Sequence, residues 1–218
     1  MFKSKLRPIT IPQSEHARLA GILAYLWGNN QIAPPPLDQS AFAMGVTWHD
    51  RGYGLLDTMA IGEVDEPIWL ATQRRGLETC LTNPIADTVA LMHIRRLLSY
   101  NEKPESEPVI ALAEQHITNN IQNTPYTRTI FEQADTITNM LDSIAFAFSF
   151  EAPTQLEKSV FSHGGYVSIQ VEINAGHITL DPWALAVPEV RGFIMGYQLS
   201  GYPDHLQPVL VEFTVLPK

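Results

Sequence analysis

The 218-residue chain carries 14 Lys and Arg against 23 Asp and Glu, a formal net charge of -9, with 17% charged and 45% hydrophobic residues. That describes one domain with a sizeable core, or one domain with a small appendage, and excludes a disordered chain. No apolar run approaches the roughly 18 to 20 residues that span a bilayer, residues 1–12 lack secretory-signal features, and the acidic surplus opposes polyanions, so the chain is expected to be cytoplasmic, with no membrane or nucleic-acid partner.

Helical periodicity opens the chain. From Ser14, the residues His16, Leu19, Ala20, Leu23, Leu26 and Trp27 fall on one helical face, and Asn29, Asn30 and Pro34-Pro35-Pro36 end the segment. Ser40 to Trp48 predicts a second helix that shares a face among Phe42, Val46 and His49 and stops at Asp50 before Gly52 and Gly54. Leu55 to Glu66 has no sustained period and reads as a loop over the surface, of the kind that covers a pocket. Helical patterns resume at Trp69 to Leu81, Ile85 to Tyr100, Pro108 to Ile121 and Arg128 to Phe150, which makes about six helices.

After Pro153 the pattern becomes alternating. Tyr166 to Ile173, a turn at Asn174-Ala175-Gly176 and His177 to Leu180 predict a β-hairpin. Phe193 to Leu199 and Val209 to Leu216 add two strands, with Leu6 to Ile11 a candidate to join them.

The most informative residue is Asp142, the one charge between Met140 and Phe150 in a helix apolar almost all round. An ionised carboxylate there costs several kcal/mol unless it is paired or bound to metal. The lone Cys80 offers no thiol pair, so a metal site must use His and carboxylates. His16, His49 and His93 each lie on an apolar helical face, and inward imidazoles with a buried carboxylate on separate helices are the parts of a metal site in a bundle core. One inward His is more often a hydrogen-bonded core residue than a ligand. Three of them, with the His49-Asp50 adjacency and a buried Asp, reverse that expectation.

The order His16, His49-Asp50, Asp142 resembles the H…HD…D signature of the HD-domain superfamily of helical metal-dependent phosphohydrolases, which includes a few di-iron oxygenases. Local words are closer to an uncharacterised bacterial branch, domain-of-unknown-function family 3891: Ile11 to Ala20, His49-Asp50-Arg51-Gly52-Tyr53, Leu91-Met92-His93 and Asp181-Pro182-Trp183 are similar to its phrases over most of the chain. Tyr53 replaces the branch's usual Trp, and no Lys follows the HD pair. The resemblance implies a mainly α fold, an HD-domain-like helical bundle with a small C-terminal antiparallel β-sheet, residues 1–152 forming the metal-binding domain and 153–218 a β-rich extension packed on it. It implies His16, His49, Asp50 and Asp142 as metal ligands and His93 as a ligand for a second metal or a contact to substrate phosphate. Asp50 and His93 are the candidate catalytic residues.

One or two divalent transition ions (Fe, Mn, Zn, Ni or Co) fit this ligand chemistry, which does not select among them. The expected activity is hydrolysis of a small phosphorylated or nucleotide-like substrate by a metal-activated water. A di-iron oxygenase, with His116 joining His93, is the first rival; the second is a non-catalytic small-molecule-binding module, for which a homodimer through the C-terminal sheet is the candidate assembly. His116 lies among Glu114, Gln115, Thr118 and Asn119, which favours a solvated surface. Arg51, Arg74, Arg75, Arg95 and Arg96 are the candidates for a substrate anion, although surface ion pairing is the commoner role. Ser162-His163-Gly164-Gly165 lacks the context of a nucleophile elbow or phosphate loop, Asp181-Pro182-Trp183 reads as a turn with an aromatic plug, and His177 and His205 are expected to be exposed.

Overall fold

A computed structural model describes residues 1–101 and 103–218. Six α-helices form: α1 (Gln13–Tyr25), α2 (Gln39–Thr47), α3 (Glu66–Glu78), α4 (Pro84–Tyr100), α5 (Glu107–Ile121) and α6 (Arg128–Ser149). Their starts follow local chemistry. The Asp38 carboxylate accepts from the Ala41 amide to cap α2, and the Asn83 side chain accepts from the Ile85 and Ala86 amides while Pro84 fills the first position of α4. A 3₁₀ turn at Arg51–Tyr53 follows α2 and faces α3.

α6 is the hub. Its inward face, including Phe131, Ile137, Leu141, Ile144 and Phe148, packs against α1 and α4 and against the sheet. α2 and α4 approach closely because Gly45 lies between them: a Cβ there would stand 2.5 Å from the Ala86 carbonyl oxygen and 2.6 Å from Val89 Cβ. That approach sets the end of α2, with His49, beside the middle of α4, with His93.

The expected small antiparallel C-terminal sheet on a mainly helical bundle is overturned. The chain is 44% helix and 23% strand, and a curled mixed sheet of seven strands is a major element. The strands are β1 (Phe2–Lys3), β2 (Ile9–Ile11), β3 (Thr154–Ser162), β4 (Gly165–Asn174), β5 (His177–Asp181), β6 (Val190–Gln198) and β7 (Pro208–Pro217), in the order β1-β2-β6-β7-β5-β4-β3. β5 and β7 run parallel, with His177 opposite Thr214, whereas every other neighbouring pair is antiparallel.

The predicted hairpin is present as β4 and β5, but β3 was not foreseen. The inward face of β3 reads Thr154, Leu156, Lys158, Val160 and Ser162, with two apolar residues in five, so its alternation is too weak to stand out in sequence. Ile169, Val171, Ile178, Ile194, Val211 and Phe213 of the sheet join the helical residues in one continuous core. Trp183 ties the β5–β6 connection to the end of α1: its indole N–H donates to the Val187 carbonyl, and Asn29 donates to the Trp183 carbonyl. Among the described residues no helix is long and apolar enough to cross a membrane.

Candidate metal centre

Three helices and one turn bring five side chains to a point. α1 contributes His16, the turn that follows α2 contributes His49 and Asp50, α4 contributes His93 and α6 contributes Asp142. The three imidazoles are at most 1% exposed, and the side chains of Asp50 and Asp142 are 8% and 14% exposed. All five candidates from sequence therefore meet in one buried cluster.

The closest approaches are between nitrogens and oxygens that carry lone pairs. His16 Nε2 lies 3.1 Å from His49 Nε2, 3.2 Å from Asp142 Oδ1 and 3.5 Å from Asp50 Oδ2. His49 Nε2 lies 3.5 Å from Asp50 Oδ2 and 3.6 Å from Asp142 Oδ1. With metal–ligand bonds of about 2.1 Å, neighbouring ligands of an octahedral or tetrahedral ion stand about 3.0 to 3.4 Å apart. His16, His49 and Asp142 are spaced to share one cation, and His49, Asp50 and His93 form a second group of that kind with His49 in common.

Hydrogen bonding fixes one of the rings. His49 Nδ1–H donates to the Val46 carbonyl at 2.6 Å, which leaves the lone pair on Nε2, facing the other ligands. The His16 Nδ1 atom is buried without a partner. Two nearly buried carboxylates need compensating positive charge, and Arg96, with Nη1 3.6 Å from Asp142 Oδ2, is the one fixed cation beside them among the described residues.

Without a metal the cluster answers with a proton. Burial alone pushes the His49 pKa down, but the Asp50 and Asp142 carboxylates outweigh it and hold it at about 10. Burial pushes Asp50 and Asp142 up, yet His49 and His93 beside Asp50, and His93, His16 and His49 around Asp142, keep both below the usual carboxylate range. His93 is shifted the other way, lowered by burial and by the charge on His49. The proton on His49 stands where a divalent ion would supply the balancing charge.

The cluster forms the floor of a cavity of about 270 Å³. Met59, Ile61 and Val64, from the loop predicted to run over the surface, line it together with the apolar Trp69, Leu97 and Phe146. The loop's far side is tied down by the N-terminal strand, with the Ile61 amide donating to the Met1 carbonyl and Lys3 Nζ 2.7 Å from Glu63. Gln13 and Tyr53 also reach the cavity; Tyr53 was noted in sequence only as a departure from the branch's usual Trp, and Gln13, which was given no role, precedes His16 by one helical turn, the signal that would have found it. Burial and the Asp50 carboxylate raise the Tyr53 pKa, so its hydroxyl stays protonated.

The other candidates lie elsewhere. His116 is half-buried on α5 and joins neither group of metal-capable residues among the described residues. Arg51 is buried against Asp87, Arg74 pairs with Glu78, Arg75 donates to the Gly52 carbonyl and Arg95 pairs with Glu114, so none of these faces the cluster. Arg96 does. His163, His177 and His205 are exposed, and Ser162 donates nothing to the site: its hydroxyl accepts from the Ala33 amide.

With this geometry in place, comparison with known proteins gives one match. The family model described as "Protein of unknown function (DUF3891)" covers residues 3–200. The chain belongs to that family. In this DUF3891 protein the matched span takes in every residue of the cluster, from His16 to Asp142, and the strands up to β6. No curated protein and no solved structure matches the chain.

Proposed function

We propose that this DUF3891 protein is a metal-dependent hydrolase that cleaves a small phosphorylated or nucleotide-like substrate, as the H…HD…D order of its ligands implies by resemblance to the HD-domain phosphohydrolases. One observation carries the reading: the Nε2 atoms of His16 and His49 lie 3.1 Å from each other and 3.2 to 3.6 Å from carboxylate oxygens of Asp50 and Asp142, beside a cavity that admits a small molecule. A divalent ion held there would supply a Lewis acid and bring the pKa of a bound water from about 15.7 toward about 7.

The chain's own residues do the rest. Val46 orients the His49 ring so that its Nε2 lone pair is presented without reorganisation. His93 and the protonated Tyr53 hydroxyl border the cavity and are placed to contact substrate oxygens. Met59, Ile61, Val64 and Trp69 exclude water above the reacting group, which strengthens the electrostatic interactions below them. The two-iron oxygenase chemistry would need His116 as a further ligand, and His116 stands outside the cluster.

Metal analysis of the purified chain, joined to a screen of phosphomonoesters and phosphodiesters with added Mn, Fe, Zn, Ni or Co, tests the proposal. It predicts near-stoichiometric metal and metal-dependent release of phosphate or of a phosphomonoester. A chain that takes up none of these ions and is fully stable without them would overturn it; bound metal with no turnover across the screen would favour the binding-module reading.

A further inference from the structure

His49 and His93 are neighbours in the cluster, with ring centroids 4.4 Å apart, yet their second nitrogens meet opposite partners. His49 Nδ1 faces a carbonyl oxygen, which only accepts; His93 Nδ1 lies 3.0 Å from Arg96 Nη2, which only donates, and 3.6 Å from Asp142 Oδ2, beyond hydrogen-bond reach. We propose that Arg96 is a positioning residue that locks His93 in the tautomer protonated on Nε2, so that the cluster holds a single ion on His16, His49 and Asp142, with Asp50 Oδ2 3.5 Å from both imidazole Nε2 atoms, while His93 remains unligated.

The inference rests on the metal reading above and deepens it. A neutral imidazole whose Nδ1 accepts a hydrogen bond carries its proton on Nε2, and a protonated nitrogen has no lone pair for a metal. His93 Nε2 is the atom a second ion would need, because His93, His49 and Asp50 form the other group capable of holding metal. The opposite nitrogen is no alternative, since an ion at Nδ1 would sit against the guanidinium.

Arg96 cannot readily swing away. It stands one helical turn beyond His93 on α4 and is gripped from α6, with Nε donating to Asp135 Oδ2 at 3.0 Å and Nη1 to Asn139 Oδ1 at 3.3 Å. Asp135, Asn139 and Asp142 follow at spacings of four and three residues, so the face of α6 that supplies a ligand also anchors the arginine. His93 Nε2 itself is buried without a hydrogen-bond partner, 3.4 Å from Asp50 Oδ1, and its residue lines the cavity. The N–H left over is a donor to whatever oxygen enters the cavity.

The test uses the full chain with 15N-labelled histidine, metal-free and loaded with zinc, and reads ring-proton to ring-nitrogen correlations together with zinc stoichiometry. The expected result is His93 protonated on Nε2 in both forms, His16 and His49 shifted by zinc, and saturation at about one ion per chain. His93→Gln keeps that ion. Arg96→Met abolishes the tautomer preference and admits a second ion, whereas Arg96→Lys, which retains a donor, preserves both properties of the wild type. Zinc on His93 Nε2, saturation of the wild type at about two ions, or loss of the ion in His93→Gln would overturn the proposal. A wild type that binds no zinc would overturn the metal reading itself and the single-ion claim with it; the tautomer in the metal-free chain then judges the Arg96 lock alone.

Discussion

Asp50 and Arg51 are adjacent in the chain and enter two buried charged assemblies of opposite character. Arg51 closes a paired knot: Nε donates to the Gly76 carbonyl at 2.7 Å and Nη1 to Asp87 Oδ1 at 2.5 Å, while its Nη2 is buried without a partner. Asp87 in turn accepts from the Leu81 amide at 2.8 Å and the Asn120 side chain at 2.6 Å. Asp50 enters a cluster of imidazoles and carboxylates in which no guanidinium among the described residues pairs with it, and the His16 Nδ1 and His93 Nε2 atoms are unpartnered. Burial and charge alone do not mark a functional site. What distinguishes the two is charge balance: one guanidinium answers one carboxylate at Asp87, whereas beside Asp50 and Asp142 the one fixed cation among the described residues is Arg96, which also pairs with Asp135.

Substitutions in the two assemblies should therefore separate metal binding from stability. The largest effect is expected at the open cluster: His49→Ala or Asp142→Ala should weaken metal affinity by roughly a hundredfold or more, since even partners one step behind the ligands are worth 10- to 100-fold. Metal analysis after dialysis reads this directly, and retention of wild-type metal by either variant would erase the contrast. At the closed knot, Arg51→Ala strands the Asp87 carboxylate and should cost about 3–5 kcal/mol in denaturant unfolding, while any folded fraction keeps its metal. Loss of metal at unchanged stability would show that the knot belongs to the site.

Two smaller effects sharpen the picture. Gly45→Ala forces α2 away from α4 and should destabilise by about 1–3 kcal/mol, with weaker metal binding because His49 rides on the end of α2. Proton release is the subtlest. His49, held at about 10 without metal, is protonated at pH 8 and must lose that proton to ligate, so uptake of metal at pH 8 should release about one proton. Calorimetry in buffers of different ionisation enthalpy measures it, and uptake with no proton release would remove His49 from the ligands.

The site was more legible than the fold. Asp142 stood out because a lone carboxylate in an apolar helix demands a partner, and His16, His49 and His93 because their helical phase turned them inward with Leu23, Phe42 and Val89. The helices announced themselves through Pro84, Pro108 and long periodic faces. The sheet did not: β1 and β2 are two and three residues long, too short to show a period, and β3 carries Lys158 on its inward face. Nor could spacing reveal that β5 and β7 lie side by side in parallel, since that pairing joins strands far apart in the chain. The role of Arg96 was equally hidden, because Arg95 and Arg96 look alike until α6 supplies Asp135 and Asn139 to one of them.

His16 and Asp142 meet across 142 − 16 = 126 positions, and none of α1, α2 or α6 can form the cluster alone. Closing so long a loop is entropically unfavourable until the intervening helices are packed, so the ligands come together late as the chain folds. On the proposed metal reading, an ion held from α1, the turn after α2 and α6 would bind the finished structure and not its precursors, and would draw the folding equilibrium forward as its concentration rises. Metal supply would then govern how much of this protein persists.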